Sequence, residues 1–355
     1  MKYDVIIAGA SFAGLAVARE LKGKILLIDK DEIGTHQTSA CGTLVGTLEK
    51  FGCQDLVLQT FDPIFVNVAG QDIPLKFGYD FCTFNYPDLC RALLKYVDAE
   101  IVKAKVKAAK GNFVVTNKGD FEGRILVDAT GWRGILARSA LNNLNKEMIH
   151  INKKRLNFGF ETVHPASNYE FNEKLKFYWN PNSLRKGITW IFPAGEEVRF
   201  GIGSYVGDTK LKLKLETFLN DFQLQTNNAF HGGYFTHKLR EPTAGSVFLV
   251  GDSAGQCLPL TGEGIRPALY FGQKCGQVIR QIMKKEMTLE NGLEQYRDFV
   301  LKHRQGYTGL YRLQKLFSNV PDFLTAKVLK YLSQPRIFPR LAKSYWDAVS
   351  FINKS

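Results

Sequence analysis

Asp29, Asp128 and Asp252 each close an apolar run of strand type, and glycine-rich turns accompany them. A carboxylate in that position can accept hydrogen bonds from sugar hydroxyls. A glycine turn that opens a helix exposes backbone N–H groups, which suit an anion such as a pyrophosphate. Tyr3 to Ala8 reads as a strand, followed by Gly9-Ala-Ser11-Phe-Ala-Gly14 and a helix through Leu21. Lys24 to Asp29 reads as the next strand, and Asp29 lies twenty residues beyond Gly9. Strand, turn, helix, strand and acid in that order form the dinucleotide fingerprint, with Asp29 placed for ribose hydroxyls. Its middle glycine is Ser11 here, a small residue that preserves the turn with the backbone slightly further from the pyrophosphate.

A second glycine segment lies far along the chain. Val247 to Val250 is an apolar strand that runs into Gly251-Asp252-Ser-Ala-Gly255 and then Pro259-Leu-Thr-Gly262-Glu263-Gly264-Ile265, where a helix begins. Glycine lacks a Cβ, so such a stretch can bring its backbone against a flat group.

With Arg124-Ile-Leu-Val-Asp128-Ala-Thr-Gly131, these segments resemble the FAD-dependent oxidoreductases of the p-hydroxybenzoate hydroxylase type over nearly the whole chain. Within that superfamily, the segments 251–255 and 260–265 are most similar to the geranylgeranyl reductase family. Cys41-Gly42 and Trp190-Ile-Phe192-Pro193 fit the same family. Its tyrosine two residues before the tryptophan is Ile188 here, and its proline three residues earlier still is Arg185. The resemblance implies FAD, held at Gly9, Ser11, Gly14, Asp29, Asp128, Gly251, Asp252, Gly262, Gly264 and Ile265. It also implies that the Cys41 loop approaches the flavin or a substrate double bond, and that Trp190, Phe192 and Pro193 line an apolar slot for an isoprenoid chain.

Each of these has a plainer reading. A buried cysteine commonly fills a gap, and aromatic residues in strands are commonly core. His36, near Cys41 in sequence, reads more simply as a surface histidine. Arg266 either binds an anionic head group through its guanidinium or is structural, and the structural reading is preferred.

The elements that must position these groups follow from the pattern. The fold class is α/β: a Rossmann-like FAD-binding domain, an inserted antiparallel β-sheet substrate domain and a C-terminal helical tail. The FAD domain is expected at 1–60, 87–150 and 234–285, the β-rich domain at 61–86 and 151–233, and the helical region at 286–355. Residues 157–163, 176–179, 188–192 and 198–205 carry Phe and Trp at alternating positions, as in an antiparallel sheet with one aromatic face. Residues 87–97 and 212–222 read as helices, and Pro321, Pro335 and Pro339 break the helical tail.

Composition narrows the class further. The chain has 355 residues, 45% hydrophobic, enough for a sizeable core. It starts directly with a strand, so no signal peptide is expected, and no window reaches the ~18 apolar residues needed to span a bilayer. Cys41, Cys53, Cys82, Cys90, Cys257 and Cys275 form no C-x-x-C pair, so reduced thiols in a cytoplasmic enzyme are expected, with no metal site. Of the net charge of +13, residues 301–355 carry +8 from ten Lys/Arg and two acids, mixed with bulky apolar residues from Leu310 to Trp346 and Phe351. Such a tail suits an anionic membrane surface or an acidic electron-donor protein; no segment resembles a nucleic-acid module.

The function the resemblance implies is reduction of carbon–carbon double bonds in a polyprenyl lipid, with electrons from NADPH or a ferredoxin-like donor. Flavin N5 gives a hydride, and a proton must reach the other alkene carbon, with Cys41 as the candidate donor. Monooxygenase or halogenase chemistry of the same superfamily, cyclisation without net redox change, and a non-catalytic flavin electron carrier at a membrane stay open. Oxygen uptake and product mass discriminate among them.

Overall fold

The structure, a computed structural model, describes residues 2–140, 156–166, 171, 173–179, 184, 186–207, 210–225, 230–236 and 238–348. Arg185 and Phe351 lie outside the described residues, and Trp346 is described in its backbone alone. The chain forms two compact units from interleaved segments. The first comprises Met1–His36, Pro87–Ile151 and Phe235–Thr308; the second comprises Gln37–Tyr86, Asn152–Tyr234 and Gly309–Ser355. Residues 37–60, expected with the nucleotide domain, cluster with the second unit, where Gly42–Leu44 and Gln59–Phe61 both pair with Phe81–Thr83. The expected separate tail is divided at Thr308.

The first unit is built on a mostly parallel sheet. Its order is Thr243–Ala244, Val247–Leu249, Gly119–Asp128, Lys2–Ala8, Ile25–Asp29 and Glu100–Lys103. Along that path all neighbours are parallel except the Thr243–Ala244 edge, and off it Phe113–Thr116 pairs antiparallel with Gly119–Asp128 and with Val106–Lys110. Val5 to Ala8 and Ile25 to Ile28 are buried without interruption, the pattern of strands covered on both faces. The seven-residue helix Phe12–Ala18 is buried throughout and packs on Ile265–Met283. Gly272 and Gly276 permit that approach: a Cβ on either would sit 2.6 Å from a backbone oxygen of the shorter helix. Register pairs Ala8 with Asp128 and with Ile28, so the turns after the two central strands start side by side at the carboxyl ends of the sheet. Ligands bind at that edge in sheets of this kind.

The second unit centres on a seven-stranded sheet. Its order is Phe230–Phe235, Asn157–Pro165, Glu197–Ser204, Gly187–Ala194, Lys176–Trp179, Ile64–Val68 and Gln71–Leu75. The Lys176–Trp179 and Ile64–Val68 strands pair in parallel, and the pairings on either side of them are antiparallel. Alternation along Glu197–Ser204 sends Val198, Phe200 and Ile202 to a core shared with the helix Leu211–Asn220. Trp190 and Phe192 join Phe61, Ile64, Ile73 and Leu75 in a separate cluster, against which Leu329 and Phe338 of the tail helices Asp322–Leu332 and Phe338–Ala348 pack. Pro321 is the N-cap of the first of these helices and Pro339 sits in the first turn of the second, where a missing N–H costs nothing.

Candidate functional site

In the first unit, two glycines are fixed by close backbone approach. Gly9 has φ +105, and a Cβ there would lie 2.1 Å from the Ala129 carbonyl oxygen. A Cβ on Gly14 would lie 1.9 Å from the Gly9 carbonyl oxygen. Ser11 is the N-cap of the Phe12–Ala18 helix in extended conformation, and its side chain makes no capping bond. Asp29 ends its strand beside this turn. Its Oδ2 accepts the Ala10 N–H at 2.7 Å and its Oδ1 accepts the Asp31 N–H at 3.0 Å. A carboxylate has lone pairs beyond those two bonds, so Asp29 braces the turn and can still accept from a sugar hydroxyl.

Asp128 behaves differently from the sequence expectation. It is fully buried, and its oxygens accept from Thr130 N–H, Thr130 Oγ1, Ser253 Oγ and the Ala137 N–H, at 2.6–3.0 Å. Its carboxylate is consumed inside the protein, where it ties the Gly131 turn to the Gly251–Ala254 turn.

The Gly251–Ala254 turn is braced from behind. Gly251 has φ +64 and donates its N–H to Gln256 Oε1 at 2.6 Å. Gln256 Nε2 donates to Tyr296 Oη at 3.2 Å, and that hydroxyl donates to the Leu249 carbonyl at 3.0 Å. Tyr307 donates to the Gln256 carbonyl at 2.6 Å. Desolvation raises the Asp252 carboxyl to about 6, opposed by the Arg240 guanidinium and by a hydrogen bond from the Thr236 backbone. Gly262 has φ +66, and a Cβ there would meet ring carbons of Phe235 at 3.9 Å, an ordinary contact. Gly264 is the N-cap of the Ile265–Met283 helix, and Ile265 is buried at its start. Arg266 is buried and pairs both Nε and Nη2 with Glu263 at 2.7 Å, which is the structural reading.

In the second unit a chain of polar groups links Trp190 to Cys41. Trp190, Gly201 and Glu161 are in register across three adjacent strands. A Cβ on Gly201 would lie 2.0 Å from the Trp190 indole, so the missing side chain lets that ring lie across the middle strand. Its Nε1 then donates to Glu161 Oε2 at 2.5 Å. The other oxygen, Oε1, is 2.7 Å from His231 Nε2, and Gln37 Nε2 lies 2.9 Å from the same nitrogen. Gln37 also donates to the Ser39 carbonyl at 2.8 Å, the acceptor that Cys41 Sγ reaches at 3.4 Å. Cys41 is fully buried and holds φ +55, a conformation uncommon for a residue with a side chain. Arg199, also buried, donates to the carbonyls of Ala40 and Phe84 and to Asn85 Oδ1, pinning the Cys41 loop to the segment that follows Phe81–Thr83. Phe192 packs on Gly42, whose Cβ would lie 2.9 Å from its ring, and the Pro193 carbonyl accepts from Thr83 Oγ1. His36, in the first unit, is exposed and faces Asp31 at 3.9 Å.

Sequence reasoning missed Glu161, His231, Gln37, Arg199 and the Gln256–Tyr296–Tyr307 brace. One signal was available for Glu161, an acid at an inward position in an otherwise aromatic strand. The brace left none, because its partners are forty or more residues apart. None of the six cysteines is in a disulfide, and all six are buried.

The fold is that of the FAD-dependent oxidoreductases: a parallel nucleotide-type sheet, a separate antiparallel sheet and C-terminal helices. A geranylgeranyl bacteriochlorophyll reductase-like protein from Thermoplasma acidophilum superposes with a TM-score of 0.81 at 18% identity, over 98% of each chain. A p-nitrophenol 4-monooxygenase from Pseudomonas putida gives 0.73 at 11% identity, again over 98% of each. Sequence relatives narrow the likeness. The chain is 26% identical to a digeranylgeranylglycerophospholipid reductase of Methanocaldococcus jannaschii, over 90% of this chain and 88% of that one. It is 26% identical to the protein so named from Methanococcus vannielii, over 83% and 81%. No protein-family profile matches the chain.

Proposed function

We propose that this chain is an FAD-dependent reductase of carbon–carbon double bonds in a polyprenyl, geranylgeranyl-type lipid. The observation that carries the proposal is its likeness to archaeal reductases of that name along nearly nine-tenths of both chains. The residues of the first unit fit FAD. The turns at Gly9 and Gly251 have the positive φ and close approach of a phosphate-binding edge, and Asp29 and Asp252 offer acceptors. A bound, reduced FAD supplies the hydride. The protein orients the double bond, excludes water and delivers a proton; Trp190 and Phe192 supply apolar surface of the kind that holds an alkyl chain.

The test is mass spectrometry of lipid and cofactor released from the purified protein, followed by anaerobic turnover of a geranylgeranyl lipid with dithionite as reductant. Release of FAD and a gain of two mass units per bond reduced are expected. Absence of FAD after expression in a flavin-replete host overturns the reading. The monooxygenase and brominase folds of similar shape favour an oxygen-activating reading; substrate-dependent oxygen uptake would select it. The physiological reductant in this proposal is NADPH or a ferredoxin-like protein.

The proposal includes a peripheral seat on an anionic membrane. Among the described residues no helix is long and apolar enough to cross one. The helix Asp322–Leu332 exposes Phe323, Leu324, Val328 and Tyr331 on one side, with Lys327 among them and Lys330 at its edge. An apolar face with lysines at its margin suits the boundary between head groups and acyl chains.

A further inference from the structure

We propose that Gln256 is a positioning residue for flavin binding, the clasp that presets the Gly251–Ala254 turn for the flavin half of FAD. The inference rests on the FAD reading above and assigns the residue that shapes one of its two turns.

Gln256 holds Gly251 at both of its backbone groups. The Gln256 N–H donates to the Gly251 carbonyl at 3.1 Å, and the Gly251 N–H donates to Gln256 Oε1 at 2.6 Å. Gly251 sits at φ +64, a backbone state that this double bond holds in place. The orientation of the amide follows from its partners. A carbonyl only accepts, so the Tyr296 hydroxyl spends its single proton on Leu249, at 3.0 Å. The hydroxyl oxygen must then accept from Gln256 Nε2, at 3.2 Å, which leaves Oε1 for the Gly251 N–H. The circuit runs from Leu249 to Gly251 and closes around the end of the strand. Gln256, Tyr296 and Gly251 are all buried, so water does not compete for these bonds. Tyr307, also buried, donates to the Gln256 carbonyl at 2.6 Å and secures the clasp itself.

The clasped turn follows Val247–Leu249, which a single strand, Gly119–Asp128, separates from Lys2–Ala8. Two strand spacings come to about 10 Å, so one extended dinucleotide reaches both turns. In sheets of this kind the first glycine turn and its acid, here Gly9 and Asp29, take the adenosine half. The flavin half then falls to the Gly251 turn and Asp252. Asp252 directly follows the clasped glycine, so the backbone state of Gly251 sets the direction of that carboxylate. Without the clasp, the Gly251 N–H is left buried with no acceptor. The turn must then open towards water, and binding has to reorder it, a cost that a preset turn avoids. Gln256 makes no hydrogen bond to the Gly9 turn or to Asp29 among the described residues. Its loss should therefore weaken the grip on one half of the cofactor and spare the other.

The experiment titrates the full chain, stripped of flavin, with FAD and separately with ADP, which carries the adenosine and diphosphate but no flavin half. Gln256→Met keeps the length of the side chain and removes its bonds. It is expected to weaken FAD by about 10-fold or more while ADP stays within about twofold of wild type. Tyr296→Phe removes one oxygen and frees the amide to turn. It is expected to weaken FAD by about three- to tenfold, again with ADP unchanged. Ile282→Ala lies at the far end of the helix Ile265–Met283 from the glycine turn and is the control for lost stability alone. It should lower the melting temperature and leave both affinities as in wild type. Wild-type protein that binds no FAD counts against the FAD reading itself. Wild type that binds FAD, with Gln256→Met within about threefold of it, overturns the clasp and leaves that reading standing. Equal losses of FAD and ADP show a general structural role and also overturn it, as does wild type that binds FAD but no ADP. If Gln256→Met does not fold, Tyr296→Phe decides, and FAD affinity within about twofold of wild type in that variant overturns the proposal.

Discussion

At the scale of single residues, buried charge decides what can be changed. Arg199 is 3% exposed and satisfies three acceptors, the Ala40 carbonyl beside Cys41 and the Phe84 carbonyl and Asn85 Oδ1 of a second segment. Arg199→Ala should cost about 3–5 kcal/mol in urea unfolding, since it leaves those acceptors buried without donors. Arg199→Lys should recover part of this, a single ammonium being unable to reproduce the fork. Asp252 gives a pH signature. Its carboxyl sits at about 6 in the folded protein against a reference of 3.8, mainly through desolvation. The fold binds this proton more tightly than the unfolded chain does. The associated stability is therefore full below about pH 4 and is lost as pH rises to about 6, by about 1–3 kcal/mol. Urea midpoints of flavin-free protein across that window should fall less steeply in Asp252→Asn than in wild type.

At the scale of elements, the packing of glycines against other groups sets the tolerances. Gly201→Ala should force the Trp190 ring off Glu161 and cost about 1–3 kcal/mol; tryptophan near-UV dichroism should change with it. The helices behind the Gly251 turn carry an opposite pH signature. His303 is packed among the rings of Tyr270, Phe271 and Phe299, and burial pushes its imidazole down to about 4. Its stability contribution is present above about pH 6.5 and is lost as pH falls towards about 4. A His303→Phe variant should resist acid unfolding better than wild type over that interval.

The elements also show what could be read without coordinates. The strands at 157–165, 176–179, 187–194 and 197–204 and the helix at 211–220 lay within a few residues of their expected places, because period-two alternation and flanking glycines are local signals. The glycine turns were legible for the same reason. The four internal donors around Asp128 were not legible, because a strand-closing acid looks alike in sequence whatever surrounds it. The pairing of Gly42–Leu44 and Gln59–Phe61 with Phe81–Thr83 was not legible, because strand pairing is a long-range choice that no local pattern encodes. Glu161 and His231, seventy residues apart, meet only through the order of strands in the sheet.

At the scale of the whole molecule, charge and apolar exposure coincide on the tail. Phe323 and Tyr331 are 58% and 60% exposed on a helix whose opposite side packs on the aromatic cluster. Flotation with vesicles containing phosphatidylserine should show binding at low salt that weakens as salt rises, since each basic residue near an anionic surface contributes about 1 kcal/mol and is screened. Charge reversal at Lys327, Lys330, Arg336 and Arg340 should abolish it. Protein that stays unbound at low salt rejects the membrane seat and leaves the enzyme proposal intact.

The interleaving of the two units has a consequence for biosynthesis. Each unit draws on three stretches of chain, and the last stretch of each lies beyond residue 234. The strand Gly119–Asp128 meets Phe113–Thr116 and Lys2–Ala8 early, but the neighbour of its residues 126–128, Val247–Leu249, emerges from the ribosome more than a hundred residues later. Until then the central strand is an open edge, able to pair with another nascent chain. The seven-stranded sheet waits still longer for Leu329 and Phe338 to cover its aromatic side. A chain stalled or cut before about residue 300 is thus no smaller version of the enzyme. It is two half-built sheets, and the expected fate of such a fragment is capture by chaperones or aggregation, with neither half recoverable as an independent domain.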